Sequence, residues 1–252
     1  MPDYVSPELP ESSRDDIYSH PQGKVNDFIF DQTVVRVFPD MIKRSVPGYS
    51  SIIQMTGILT EQFAQADSNC YDLGCSLGAS TQAMRDHIKK PRCKIIAIDN
   101  SPDMVKGCLK HLKQNPSEVE VSVECAAIEE ISIEKASIVV LNFTLQFIAP
   151  ALRQTIIEKI YHGMLPGGLL ILSEKIAFED PKQAELNTHM HHIFKRSNGY
   201  SELEVSQKRS SLDNVLLAET LNTHQTRLLN AGFNSCDVWF QCFNFTSMLA
   251  LK

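Results

Sequence analysis

The sequence has no long apolar run. Its longest uncharged apolar stretches, such as Ile138-Val139-Val140-Leu141 and Leu169-Leu170-Ile171-Leu172, fall far short of the roughly 20 residues that a membrane-crossing helix needs, so no membrane partner is expected. Met1-Pro2-Asp3-Tyr4 carries no basic segment leading into an apolar one, so no secretory signal is read and a cytoplasmic location is expected. Paired cysteines are lacking too. The seven cysteines stand at 70, 75, 93, 108, 125, 236 and 242, none in a C-x-x-C pair, which argues against a disulfide framework or a zinc site. His189, His191 and His192 are spread around a helix axis with no acidic residue converging on them, so no metal is expected. Nor is there a basic excess. Lys and Arg number 24 against 30 Asp and Glu, a formal net charge of −6, which disfavours direct nucleic-acid binding because phosphate neutralisation supplies most of that affinity. Internal repeats and low-complexity tracts are absent.

What is present fits one large globular domain: 252 residues, 43% of them hydrophobic. Residues 1–27 are polar and without period, and are expected to form a mobile N-terminal tail ahead of a single domain over 28–252. Residues 28–66 follow helical spacing, with a break at Ser45-Val46-Pro47-Gly48-Tyr49. From residue 69 short apolar runs alternate with helical stretches. Runs such as Ile95–Ile98 and Ile138–Leu141 are continuously apolar, as in parallel strands covered on both faces. The alternation predicts a doubly wound α/β fold, Rossmann-like and mostly parallel, with helices on both faces of the sheet. A charge-rich helical insertion over 177–228 precedes two closing strands, Asp237–Phe240 and Phe245–Leu251.

Chemistry concentrates at Asp72-Leu73-Gly74-Cys75-Ser76-Leu77-Gly78, between a strand and a helix. Glycine lets a backbone approach a ligand where a Cβ would collide, and open α/β sheets bind ligands at such strand ends. Asp99 ends the next strand, roughly twenty-five residues later, where an acidic side chain can accept both ribose hydroxyls of a nucleoside. Asp99-Asn100-Ser101-Pro102 also reads as a helix cap with proline in the first turn, a role that can coexist with binding. Leu165-Pro166-Gly167-Gly168 stands before the fifth strand, as in class I S-adenosylmethionine enzymes. The three features in this order point to S-adenosyl-L-methionine as the cofactor.

Longer stretches carry a closer resemblance: Val37-Phe38-Pro39-Asp40-Met41-Ile42, Arg44-Ser45-Val46-Pro47-Gly48-Tyr49-Ser50, Tyr71–Gly78, Ile95–Pro102, Val139–Phe147, Asn198–Glu204, Ser206–Ser210 and Trp239–Phe245. Over roughly residues 28–252 the chain resembles the carboxy-S-adenosyl-L-methionine synthases, a family on the class I methyltransferase fold with a seven-stranded sheet. The resemblance implies cofactor contacts at Tyr49, Gly74, Cys75, Ser76, Asp99, Asn100, Ala127, Ile128 and Asn142. It also implies that Arg209 receives the extra carboxylate of the product, from its own chain or a neighbouring subunit, with Tyr200 adding a hydroxyl. Where the family commonly has aspartate, this chain has Ala127, which cannot accept from the adenine amino group. Binding is expected to persist, weaker by about 1 kcal/mol for one lost hydrogen bond.

The reaction the resemblance implies joins S-adenosyl-L-methionine and prephenate to give carboxy-S-adenosyl-L-methionine, phenylpyruvate and water. It further implies a homodimer, with the 177–228 insertion in the contact, and delivery of the product to a tRNA carboxymethyltransferase for wobble-uridine modification. Two alternatives stand beside it. One is a conventional methyltransferase acting on tRNA or a small molecule; the other is a non-catalytic nucleoside-binding subunit.

Overall fold

The computed structural model describes residues 14–252. Seven strands, β1 (Asn69–Leu73), β2 (Lys94–Asp99), β3 (Val121–Cys125), β4 (Ala136–Asn142), β5 (Met164–Lys175), β6 (Asp237–Cys242) and β7 (Phe245–Leu251), form one sheet in the order β3-β2-β1-β4-β5-β7-β6. Strands β1 to β5 pair in parallel, and β7 runs antiparallel to both β5 and β6. This is the mostly parallel seven-stranded arrangement that the alternating pattern predicts.

Among the described residues eight α-helices surround it: α1 (Gln32–Ser45), α2 (Tyr49–Phe63), α3 (Ala79–His87), α4 (Pro102–Gln114), α5 (Pro150–Gly163), α6 (Pro181–Ser197), α7 (Glu202–Leu212) and α8 (Leu221–Ala231). The continuous apolar run of β4 is explained by cores on both faces. Val139 and Leu141 pack with Ile156, Ile157 and Ile160 of α5, whereas Ile138 and Val140 pack with Met84 of α3 and Ile88. Local signals start the helices where the turns require. At α4, Ser101 accepts from the Met104 N–H at 3.2 Å and Pro102 occupies the first turn, which positions the helix directly after Asp99.

Several expectations need correction. The tail expected over 1–27 is anchored to the body of the chain at Asp15, Tyr18, His20 and Gln22; residues 1–13 lie outside the described residues. Asp15 donates its N–H to Asp40 Oδ2 at 2.7 Å, and Gln207 of α7 accepts from the Gln22 N–H and donates to the Tyr18 and His20 carbonyls. The polar partners that hold this segment come mostly from far along the chain, so a local reading has no sign of them. Leu165-Pro166-Gly167-Gly168, expected as a loop, lies within β5 as an irregularity, with Gly167 at φ +75° donating its N–H to the Lys252 carbonyl at 2.8 Å. The insertion over 177–228 divides physically. Helix α8 buries Leu228 and Ala231 in the same core as α5, so it belongs to the layer covering the sheet, while α6 and α7 face the cavity described below. Among the insertion's apolar residues, Val205 is buried within the chain and Leu212 packs beside α1, whereas Leu203 is exposed.

Candidate active site

The chain leaves β1 through Gly74 at φ +83° and reaches α3 through Gly78 at φ +84°. A Cβ on Gly74 would lie 2.3 Å from Thr144 Oγ1, so the close approach and the left-handed backbone both demand glycine here. The N–H groups of Gly74 and Cys75 donate to the Ile98 carbonyl at 2.8 and 2.9 Å, tying the loop to the end of β2. Asp99 then clasps it: Oδ2 accepts from the Ser76 N–H at 2.8 Å and Oδ1 from the Ser101 N–H at 2.9 Å. Ser101, not Asp99, caps α4, so the helix-cap reading and the binding reading fall on neighbouring residues. Burial holds the Asp99 carboxyl above its usual range, offset by those two N–H donors. Asp72 sits beneath the loop, accepting from Thr81 Oγ1 at 2.5 Å, and burial pushes its carboxyl up to about 7.

In front of this loop lies a cavity of about 270 Å³. Of the residues expected at the site, Tyr49, Gly74, Cys75, Ser76, Asp99, Asn100, Ile128 and Asn142 line it. Asn142 is held at both ends, donating to Ser80 Oγ at 3.0 Å and accepting from Ser173 Oγ at 2.7 Å. Tyr49 lies tilted against Phe143, ring centres 6.4 Å apart, and burial with the nearby Asp72 charge keeps its hydroxyl protonated. Asp99 and the backbone of 74–76 open onto the cavity together, and this fits the adenosine end of S-adenosylmethionine.

Three expected residues stand elsewhere. Ala127 is absent from the lining, and its carbonyl accepts from the Glu130 N–H at 3.0 Å; Ile128 and Glu129 line the cavity in its place. Tyr200 is buried outside the cavity because its hydroxyl donates to Asp15 Oδ2 at 2.5 Å and the Arg44 guanidinium lies 3.8 Å above its ring. Within this chain its hydroxyl is therefore not a donor to a carboxylate in the cavity. Arg209 is exposed on α7 and outside the lining; burial first, and the Arg209 charge second, lower the pKa of Lys175 and His192.

Sequence reasoning missed a second half of the cavity. Lys175 ends β5, Lys195 lies in the last turn of α6, and Lys208 in α7 points inward where Arg209 points out. Lys208, adjoining the exposed Arg209, is buried, with Nζ 3.2 Å from the Phe28 ring centre. Burial lowers all three ammonium pKa values, with Lys195 brought down to about 8 by burial and by the charge of Lys175. His191 donates from Nε2 to the Ser45 carbonyl at 2.8 Å; burial takes its pKa down to about 3, so it stays neutral. Phe28, Phe30, Phe38 and Phe147 complete an aromatic wall. Lys175 had a legible signal, since it stands at the carboxyl end of a central strand; the others did not.

Comparison with known proteins supports the assignment. Residues 71–168 match the "Methyltransferase domain" family model. Carboxy-S-adenosyl-L-methionine synthase of Yersinia pestis (strain Pestoides F) is 56% identical over 247 residues, which is 98% of this chain and 92% of that protein. The synthase of Yersinia pseudotuberculosis serotype O:3 (strain YPIII) matches to the same extent, 56% over 98% of this chain. This chain belongs to the carboxy-S-adenosyl-L-methionine synthase family. Solved structures confirm the fold of this synthase-family chain at much lower identity. Human N-acetylserotonin methyltransferase in complex with S-adenosylmethionine gives a TM-score of 0.58 at 19% identity, covering 88% of this chain and 55% of that one. The cyclopropane synthase of Mycobacterium tuberculosis gives 0.56 at 12%, covering 76% and 63%. Both likenesses speak for the fold alone; the family assignment rests on the Yersinia enzymes.

Proposed function

We propose that this chain is a cytosolic enzyme that converts S-adenosyl-L-methionine and prephenate to carboxy-S-adenosyl-L-methionine, phenylpyruvate and water. The observation that carries the reading is one continuous cavity, with a nucleoside cradle on one side and an aromatic wall on the other. Prephenate gains aromaticity by losing its ring carboxyl as carbon dioxide and its hydroxyl as hydroxide. The hydroxide takes a proton from the S-methyl group and leaves as water, and the carbon dioxide is captured by that carbon. Carbon dioxide and a carbon nucleophile would both be lost to water in an open site, so exclusion of solvent and alignment are the protein's main tasks. No protein base is required, and His191, held neutral and donating to Ser45, does not offer one from Nε2.

Asp99, Asn100, Tyr49, Asn142, the 74–76 backbone and Ile128 would hold S-adenosylmethionine, with Ala127 contributing no side-chain contact. Arg209, from its own chain or from a second copy of it, would pair the new carboxylate bidentately. A homodimer, and transfer of the product to a tRNA carboxymethyltransferase, complete the proposed reading. Incubating the purified protein with both substrates tests it by mass spectrometry. A product heavier than S-adenosylmethionine by the mass of carbon dioxide is expected, and it should depend on prephenate. Formation of S-adenosylhomocysteine instead would identify a conventional methyltransferase.

A further inference from the structure

Lys175, Lys195 and Lys208 face one cavity, and none of them forms an ion pair with an acidic side chain among the described residues. The acids whose charges reach them, Asp15 for Lys195 and Lys208, Glu204 for Lys195 and Asp213 for Lys175, stand outside ion-pair distance. Asp15 Oδ2 accepts from the Tyr200 hydroxyl, and Glu204 accepts from the N–H and hydroxyl of Ser201 in the capping box of α7. What surrounds the ammonium groups is largely aromatic or apolar: Lys208 Nζ lies over Phe28 and 3.3 Å from Met41 Sδ, and Lys195 Nζ lies 5.2 Å from the Tyr200 ring centre. Burying one unpaired cation is costly, and gathering three with no carboxylate in ion-pair contact costs more. Such an arrangement is retained where a ligand brings the missing charge. Phe28, Phe30 and Phe147 stand next to it in edge-on contact, with centroids 5.0 and 5.3 Å apart, a wall suited to a six-membered carbon ring.

We propose that Lys175, Lys195 and Lys208 form the anion subsite for the co-substrate, and that they hold the side-chain carboxylate which it keeps, not the ring carboxylate which it loses. This rests on the prephenate reading above. The assignment follows from charge flow. Decarboxylation moves negative charge out of the departing carboxylate, so a cation clamped there would stabilise the starting state and raise the barrier. A cation on the retained carboxylate interacts equally before and after the step, so it contributes binding and alignment. The subsite therefore recognises phenylpyruvate as well as prephenate.

Calorimetric titration of phenylpyruvate into the protein saturated with S-adenosylhomocysteine, which has no methyl group to react, tests the subsite without turnover. Lys175→Met and Lys195→Met are each expected to weaken phenylpyruvate about 10- to 100-fold, as loss of a charge-assisted hydrogen bond would, while S-adenosylhomocysteine binds as in wild type. Lys195→Arg should restore most of the affinity, and the uncharged methyl ester of phenylpyruvate should bind wild type and the Met variants alike. Lys195→Gln, a polar replacement, serves if the Met variant fails to fold and should show the same loss. Unchanged phenylpyruvate affinity in folded Lys175 and Lys195 variants would overturn the inference. Wild-type protein that binds phenylpyruvate but yields no carboxylated product would instead overturn the reaction and leave the subsite standing.

Discussion

Asp99 holds the glycine loop with the same carboxylate that, in the proposed reading, accepts from the ribose. Each oxygen already accepts one backbone N–H, from Ser76 and from Ser101, and the remaining acceptor capacity faces the cavity. Asp99→Ala is expected to cost S-adenosylmethionine on the order of 2–3 kcal/mol, because a charged acceptor for two hydroxyls is lost. Unchanged affinity by calorimetry would leave Asp99 with the loop-holding role alone. Burial raises its pKa, so acidification should weaken the cofactor at a pH above the ordinary carboxylate range, as the acid form is the poorer acceptor and carries no charge to attract a sulfonium. Asp72, raised to about 7, acts in the same direction. Affinity measured from pH 5 to 8 should therefore rise with pH, and the rise should be smaller in Asp99→Asn. Arg209 is the second residue to test. If it pairs the product's carboxylate, Arg209→Ala should cost carboxy-S-adenosylmethionine about 1.5–3 kcal/mol and S-adenosylmethionine little. Equal losses for the two ligands would make its role structural.

At the scale of elements, the loop between β1 and α3 works because its glycines accept conformations and approaches that other residues resist. Gly74→Ala adds a left-handed penalty of about 1–2 kcal/mol, and its Cβ would meet Thr144 at 2.3 Å. Reduced melting temperature together with lost cofactor binding is expected; intact binding would show that the loop can move aside. The turn after β4 is organised by Glu174 of β5, whose carboxylate accepts the Leu145 and Gln146 N–H groups at 2.9 Å each. Burial pushes this carboxyl up to about 8 from an ordinary 4.5. Between those values the unfolded chain has released a proton that the folded chain keeps, so stability contributed by this group falls as pH rises through that window. Denaturant unfolding across that range should show a shallower fall in Glu174→Gln than in wild type. An identical slope would assign the pH dependence elsewhere, with Asp72 the next group to examine.

At the scale of the whole molecule, the exposed apolar residues Leu186 and Ile193 of α6 and Leu203 of α7 lie on the inserted helices. A homodimer formed through them is expected in light scattering at micromolar concentration, and a monomer there would remove the proposal that Arg209 acts across subunits. The strands of the sheet, the glycine loop and Asp99 were legible in the amino-acid order because each rests on local chemistry. A continuous apolar run marks a strand buried on both faces, glycine marks a backbone that must bend or come close, and an acid at a strand end marks an acceptor. The lysine-lined half of the cavity was not legible in that way. Lys208 and Arg209 are adjacent and equally basic, and only the packing of α7 against Phe28, Met41 and the docked segment at 14–27 turned one inward and the other out. The same packing took Tyr200 from the cavity to Asp15, a partner 185 residues away in the sequence. Periodicity and turn chemistry act over a few residues, and so the sequence alone determined the sheet and the nucleoside cradle. Which side chains share a cavity depends on contacts between segments up to two hundred residues apart, and only the tertiary structure decided that.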